Sequence, residues 1–126
     1  MNAEQILYIK IRNSVLEAEL ADNSSADALL KVLKENDISI QMSDYGNFEK
    51  VGGLGVSLVT NDEQITTEAG DLILYQGNKF VIYYDTNSWN FTRLGKIKNI
   101  SQDELESILG GGDVTVVLTI HKNTNE

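Results

Sequence analysis

Cysteine and proline are absent from the 126-residue chain, and histidine and tryptophan occur once each. Without cysteine there is no disulfide, no thiolate nucleophile and no zinc–thiolate site. The compartment does not follow, because exported proteins also do without cysteine. The lone His121 has no partner at His-Glu-x-x-His spacing, so it builds no metal site. A Ser-His-Asp triad would have to use His121 itself, and nothing around it supports that. It reads as an exposed terminal residue. Positive charge is also scarce. Ten Lys and Arg stand against 19 Asp and Glu, a formal net charge of −9. A nucleic-acid binder needs a basic stripe to displace counterions from phosphates, so nucleic acid is excluded as a partner. Docking on anionic lipid is disfavoured on the same ground. No apolar run approaches the ~20 residues of a membrane span, so membrane insertion is not expected. Met1–Gln5 carries no basic or long apolar stretch of the signal-peptide kind. A cytoplasmic protein is therefore expected, although a chain starting after a removed signal would read the same.

A chain of this size fits one domain, residues 1–126, with a core from about 6 to 121 and frayed ends. It is long enough to bury a core without staples. Ile9 and Ile11 alternate with Lys10 and Arg12, and Leu16, Ala18 and Leu20 alternate with Glu17 and Glu19. Period two is the mark of half-buried strands, and Asn13-Ser14 between them reads as a tight hairpin turn. Arg12 then falls on a solvated strand face. Ala26, Leu29, Leu30 and Leu33 follow at helical spacing, with Ser24 and Asp27 as a capping box and Asn36-Asp37 as the stop. Ile38, Ile40 and Met42 predict a third strand. Residues 43–55 read as a long polar, glycine-rich loop, Val56 and Leu58 as a short strand, and residues 60–70 as a polar turn. Residues 72–75 and 79–84 predict a hairpin around Gln76-Gly77-Asn78, then a loop over 85–92 and a short strand over 93–98. Ser101 and Glu104 form a second capping box before Leu105, Ile108 and Leu109, and Gly110-Gly111-Gly112 stops that helix. Val114, Val116, Leu118 and Ile120 give a last strand.

About eight short strands and two helices follow, with no repeat and no linker. Hairpins dominate, so the sheet should be antiparallel, and closure into a barrel would remove its edges. The fold class is mainly β: a closed eight-stranded barrel whose two helices cap it. Gly52-Gly53-Leu54-Gly55 and the triple glycine at 110–112 fit neither a dinucleotide nor a Walker pattern. No EF-hand spacing occurs either, so no cofactor is expected.

The opening strand–strand–helix unit from Leu7 to Leu33 looks like the start of a cyclophilin. Ala69-Gly70-Asp71-Leu72 with residues 80–84 resembles the central strand pair, and Leu94-Gly95-Lys96-Ile97 before a capped helix and a strand resembles the closing unit. Residues 43–51 (SDYGNFEKV) and 93–97 (RLGKI) are similar to the bacterial cyclophilin-like domain family. The resemblance runs from about Tyr8 to Ile120 and implies an eight-stranded barrel with no settled activity. True cyclophilins isomerise X–Pro bonds by stabilising a twisted amide with an arginine beside an aromatic pocket. Met42-Ser43-Asp44-Tyr45 stands where the catalytic Phe-His-Arg segment belongs, and the pocket histidine is also missing. Trp89 precedes Leu94-Gly95-Lys96-Ile97 much as the pocket tryptophan does, at a shorter spacing.

Six of the nine aromatic residues lie within the seventeen positions 75–91. Alternation sends Phe80, Ile82 and Tyr84 to one face and Val81 and Tyr83 to the other, so much of this cluster is accounted for by core. Trp89 and Phe91 stand in a polar stretch, where core packing explains them less well. The loop bearing Tyr45, Phe48, Glu49 and Lys50 carries aromatics and both charges, as a pocket mouth would. Arg93 could anchor a carboxylate or carbonyl beside Trp89, or form an ordinary surface ion pair. The residues expected to bind a ligand are Tyr45, Phe48, Glu49, Lys50, Tyr84, Trp89 and Arg93. The function expected is a non-catalytic binding domain for a peptide or small organic molecule. A weak prolyl isomerase using Arg93 or Lys50 and a protein-interaction scaffold are the alternatives, and the sequence does not set the oligomeric state.

Overall fold

A computed structural model describes residues 6–12, 14–45, 49–110 and 112–120. Nine strands and two helices occur among them: β1 (Ile6–Ile11), β2 (Ser14–Leu20), α1 (Ser24–Glu35), β3 (Ile38–Tyr45), β4 (Glu49–Gly53), β5 (Glu63–Thr66), β6 (Asp71–Tyr75), β7 (Lys79–Tyr83), β8 (Ser88–Ile97), α2 (Gln102–Leu109) and β9 (Val114–Thr119). Every pairing is antiparallel. The order β2-β1-β9-β3-β4-β7-β6-β8 closes on itself through β2–β8, so the expected eight-stranded barrel is what forms, and β5 is added outside it on β8. Alternation puts Leu7, Ile9, Ile11, Ile40, Met42, Phe80, Ile82, Val116 and Leu118 inside, all essentially without solvent exposure. The apolar faces of α1 (Ala26, Leu29, Leu30, Leu33) and α2 (Leu105, Leu109) join the same core. The register places the end of β2 and the start of β3 together, and the end of β8 and the start of β9 together at the other rim. The two helices that bridge these points therefore close opposite ends of the barrel.

Several local features differ from the sequence expectation, each for a physical reason. The first hairpin turns one residue earlier than Asn13-Ser14: Ser14 already pairs with Ile11. Arg12 is solvent-exposed as expected, but it lies in the turn after β1 at φ 54° rather than on a strand, and it donates from Nη1 to the Ile108 carbonyl at 3.0 Å, tying this hairpin to α2. Asn13 and Gly111 lie outside the described residues. The cap of α1 is Asn23, whose side chain accepts from the Ala26 amide at 2.8 Å; Ser24 is the first helical residue instead. Asn is as good a cap as Ser, so the competition is decided by a single position. The box at α2 forms as expected, with both the Ser101 and the Glu104 side chains satisfied by backbone amides. The expected loop over 43–55 contains the end of β3 and all of β4, and no strand forms at Val56 and Leu58. The turn over 60–70 holds β5, and β8 begins at Ser88, five residues before the strand expected at 93.

The early start of β8 shapes the rest of the molecule. Residues Thr92–Lys96 pair with β6 in the barrel wall, with a register shift between Leu72 and Ile73, while Ser88–Phe91 pair with β5. A β5–β8 ribbon thus leaves the wall and packs across the outside of β4, β7 and β6. Beneath it, Ile65, Ile73, Val81, Tyr83 and Phe91 form a second, smaller apolar cluster, flanked by Val51 and Tyr75.

Candidate functional site

Alternation gives the β4–β7–β6 wall two apolar faces, one for each cluster. Val51 pairs with Val81, and Val81 with Ile73, in one outward row. Glu49 pairs with Tyr83 at one end of this surface, and Tyr75 pairs with Lys79 at the other. Trp89 and Phe91 stand two residues apart on β8 and share the face of the ribbon turned toward that row. The ribbon does not cover the row completely. A cleft of about 360 Å³ remains, lined by Glu49, Val51, Tyr75, Lys79, Val81, Tyr83, Asn87, Trp89 and Phe91.

The aromatic lining is mutually braced. Tyr83 meets Phe91 with ring centroids 5.5 Å apart, and Tyr75 meets Phe91 edge-on at 6.3 Å. Trp89 differs, since it is 61% exposed. A large indole left half in water beside an apolar cleft is free to cover an occupant. The polar lining is held from behind. Thr67, fully buried, receives the Asn87 amide on its hydroxyl at 2.9 Å and donates its own amide to the Asn87 carbonyl at 2.8 Å. The Asn87 side chain so placed donates to the Tyr83 hydroxyl at 3.3 Å. Tyr83 in turn hydrogen-bonds to Glu49, which is only 8% exposed.

Burial lifts the Glu49 carboxyl above the usual carboxylate range; the Tyr83 hydrogen bond works against this, and nearby Asp44 adds to it. Burial likewise pushes the Tyr83 hydroxyl well above an ordinary phenol. A folded-state pKa raised above the unfolded value favours the fold fully only below the unfolded value, and that advantage is lost as pH rises through the folded value. At neutral pH Glu49 is therefore a charge held at a cost. Glu49→Gln is expected to raise the thermal midpoint by a few degrees at neutral pH, and the gain should vanish on acidification below the ordinary Glu range. Paired melts of the two proteins across that pH range check it, and a lower midpoint at neutral pH would contradict it.

Glu49 and Trp89, two of the residues expected from sequence, are thus brought to one cleft. Lys50 and Tyr84 are not. Each is the chain neighbour of a cleft residue and points through the wall to the barrel interior. There Tyr84 donates to Asp44, and the Lys50 ammonium lies 3.3 Å from Asp44 and donates to the Gly112 carbonyl. Arg93 lies on β8 beyond the cleft and pairs with the buried Asp71 at 3.4 Å. Neither Lys50 nor Arg93 lines the cleft, so neither cation stands where a twisted amide in it would need one. Phe48 and the side chain of Tyr45 lie outside the described residues, as does His121. Val51, Tyr75, Lys79, Val81, Tyr83, Asn87 and Phe91 complete the lining and are not among the residues expected to bind a ligand. Part of the signal is in the sequence: alternation separates Val81 and Tyr83 from Phe80, Ile82 and Tyr84, but does not say which face is the core.

Among the described residues no cluster of three or more His, Asp or Glu side chains could hold a metal ion, and no helix is long and apolar enough to cross a membrane.

Comparison with known proteins gives one family and two instructive folds. The profile described as the cyclophilin-like family matches residues 9–121. The solution structure of the hypothetical protein AF2241 from Archaeoglobus fulgidus superposes with a TM-score of 0.71 at 15% identity, over 96% of this chain and 98% of that one. McbB, solved in complex with tryptophan, superposes with a TM-score of 0.69 at 10% identity. That match covers 95% of this chain and 46% of McbB, so the chain spans just under half of that protein. At these identities the likeness is one of fold. No curated protein sequence matches the chain.

Proposed function

The chain belongs to the cyclophilin-like family, and from that premise we propose that it is a non-catalytic binding domain that holds a small organic molecule, or a short peptide segment, in the cleft between the β5–β8 ribbon and the outer barrel wall. The observation that carries this reading is the preformed concavity itself. Its volume of about 360 Å³ falls in the range of small-molecule sites, which run to roughly 300–1,000 Å³. Its lining has the usual character as well: aliphatic floor, aromatic walls and a few convergent polar groups. McbB, of which just under half matches this fold, was solved in complex with tryptophan, which supports a small organic occupant.

The reading assigns Trp89 as the cover of the site. Its exposure means that little of the fold depends on it, so Trp89→Ala should leave stability within about 0.5 kcal/mol of the parent. Binding should suffer far more, because a buried aromatic contact with a ligand is among the largest single contributions to affinity. In a ligand-observed NMR screen of small molecules and short peptides, compounds that bind the parent should lose about tenfold or more in affinity against Trp89→Ala. Binders unaffected by that change would place the site elsewhere.

A further inference from the structure

We propose that the occupant is an organic cation: a protonated amine carried by a flat aromatic or apolar group, with the ammonium on Glu49 and the flat group between Trp89, Phe91 and Tyr75. This rests on the cleft being a binding site and names the chemistry of its ligand.

Glu49 is the acidic residue of the cleft. It is nine-tenths buried at one end of the cleft, and its hydrogen-bond partner is a neutral phenol. Among the described residues no cation reaches it. Lys50 is adjacent in the chain, but alternation sends it through the wall, where Asp44 and the Gly112 carbonyl hold it. Arg93 is held by Asp71. Lys79 lines the same cleft but sits four residues further along β7 from the Tyr83 that faces Glu49, about 13 Å of strand. A buried carboxylate with no opposite charge is costly, and a cation bound beside it would offset that cost. The surroundings favour the same sign. The faces of Trp89, Tyr75 and Phe91 are the electron-rich surfaces on which ammonium groups settle. The chain's net charge of −9 raises the local concentration of cations and lowers that of anions. An anion entering the cleft would meet Glu49, with only Lys79 at the far end to receive it.

Trp89 is the only tryptophan in the chain and lines the cleft, so its emission reports occupancy directly. Three probes of one shape separate the possibilities: phenethylamine, phenethyl alcohol and hydrocinnamate. At neutral pH phenethylamine should bind about tenfold or more tighter than phenethyl alcohol, the scale of one charge-assisted hydrogen bond, and hydrocinnamate should bind weakest. Glu49→Gln should level the three to within about twofold while leaving the alcohol unchanged. In the unaltered protein the amine preference should fade as pH drops through the raised range of Glu49. The titratable groups facing that carboxyl are Tyr83 from β7 and Asp44 from β3, and phenethylamine stays charged throughout. If the three probes bind alike, or hydrocinnamate binds best, the cleft remains a binding site and the amine assignment is wrong. If none changes Trp89 emission and none shifts an amide resonance in the cleft, the binding reading falls as well.

Discussion

Lys50→Ala is expected to remove about 3 kcal/mol or more of folding stability, while Lys50→Met should cost markedly less. Lys50 is one of the largest side chains in the molecule with no solvent exposure at all. Its aliphatic stem fills the barrel beside Ile82, its cross-strand partner on β4–β7, and its ammonium reaches Gly112 and Asp44 at the rim closed by α2. Alanine would leave a cavity where that stem runs, and buried Leu- or Met-sized truncations cost about 2–5 kcal/mol. It would also take the donor from the Gly112 carbonyl and the ammonium from Asp44, which keeps its hydrogen bond from Tyr84. Asp44 is 22% exposed and so can recover some hydration, which keeps the charge penalty below that of a sealed pair. Methionine restores most of the stem volume and isolates the contribution of the ammonium. Urea denaturation of the three proteins measures both terms. A loss below about 1 kcal/mol for Lys50→Ala would mean that the rim is held without it.

The same residue shows how far the sequence alone could be read. Where alternation is regular, as in residues 80–84 and 114–120, the strands and their two faces follow from period two, the capping helices from period 3.6, and closure from the need to remove sheet edges. Between Ser43 and Gly55 it failed, because the polar and glycine-rich composition masks a strand. Glu49 and Lys50 look equally suited to a loop, and only pairing with β7 shows that one faces the outer cleft and the other the core. Gly52 has the same origin. A Cβ there would come within 2.5 Å of the Gln41 carbonyl and of Ile40, so β3 and β4 approach too closely for any side chain. Residues 85–92 misled in the same way. Asp, Asn and Ser are poor strand signals, yet Ser88–Phe91 pair with Glu63–Thr66 to make the ribbon. A site built by two polar strands folded back on the outside of a barrel leaves little periodicity to detect. What survived in the sequence was the unexplained pair Trp89 and Phe91, too apolar for the loop they were assigned to, and both line the cleft.

Gly95→Ala should be as damaging as the loss of Lys50, for the opposite reason. A methyl group at this position would lie 2.4 Å from the backbone carbonyl oxygen of Glu19, a distance no relaxed side chain tolerates, and backbone cannot swing aside as the end of a side chain can. The clash falls on the seam that closes the barrel. Only three register pairs join β2 to β8: Ala18 with Ile97, Glu19 with Lys96 and Leu20 with Gly95. The Ala21 amide on the Leu94 carbonyl and the Lys98 amide on the Glu17 carbonyl, each at 2.8 Å, extend the seam at its two ends. Overpacking a tight site costs about 1–3 kcal/mol when neighbours can shift, and a seam of this length has little to shift without separating. A loss of about 3 kcal/mol is therefore expected, together with faster hydrogen exchange at Ala21 and Lys98 than at amides of the β3–β9 pairing. Gly53→Ala is the matched control. It lies in β4 with open space around its Cβ position, so it should be neutral or slightly stabilising. If Gly95→Ala proves as mild as Gly53→Ala, the β2–β8 seam is not what holds the cylinder closed.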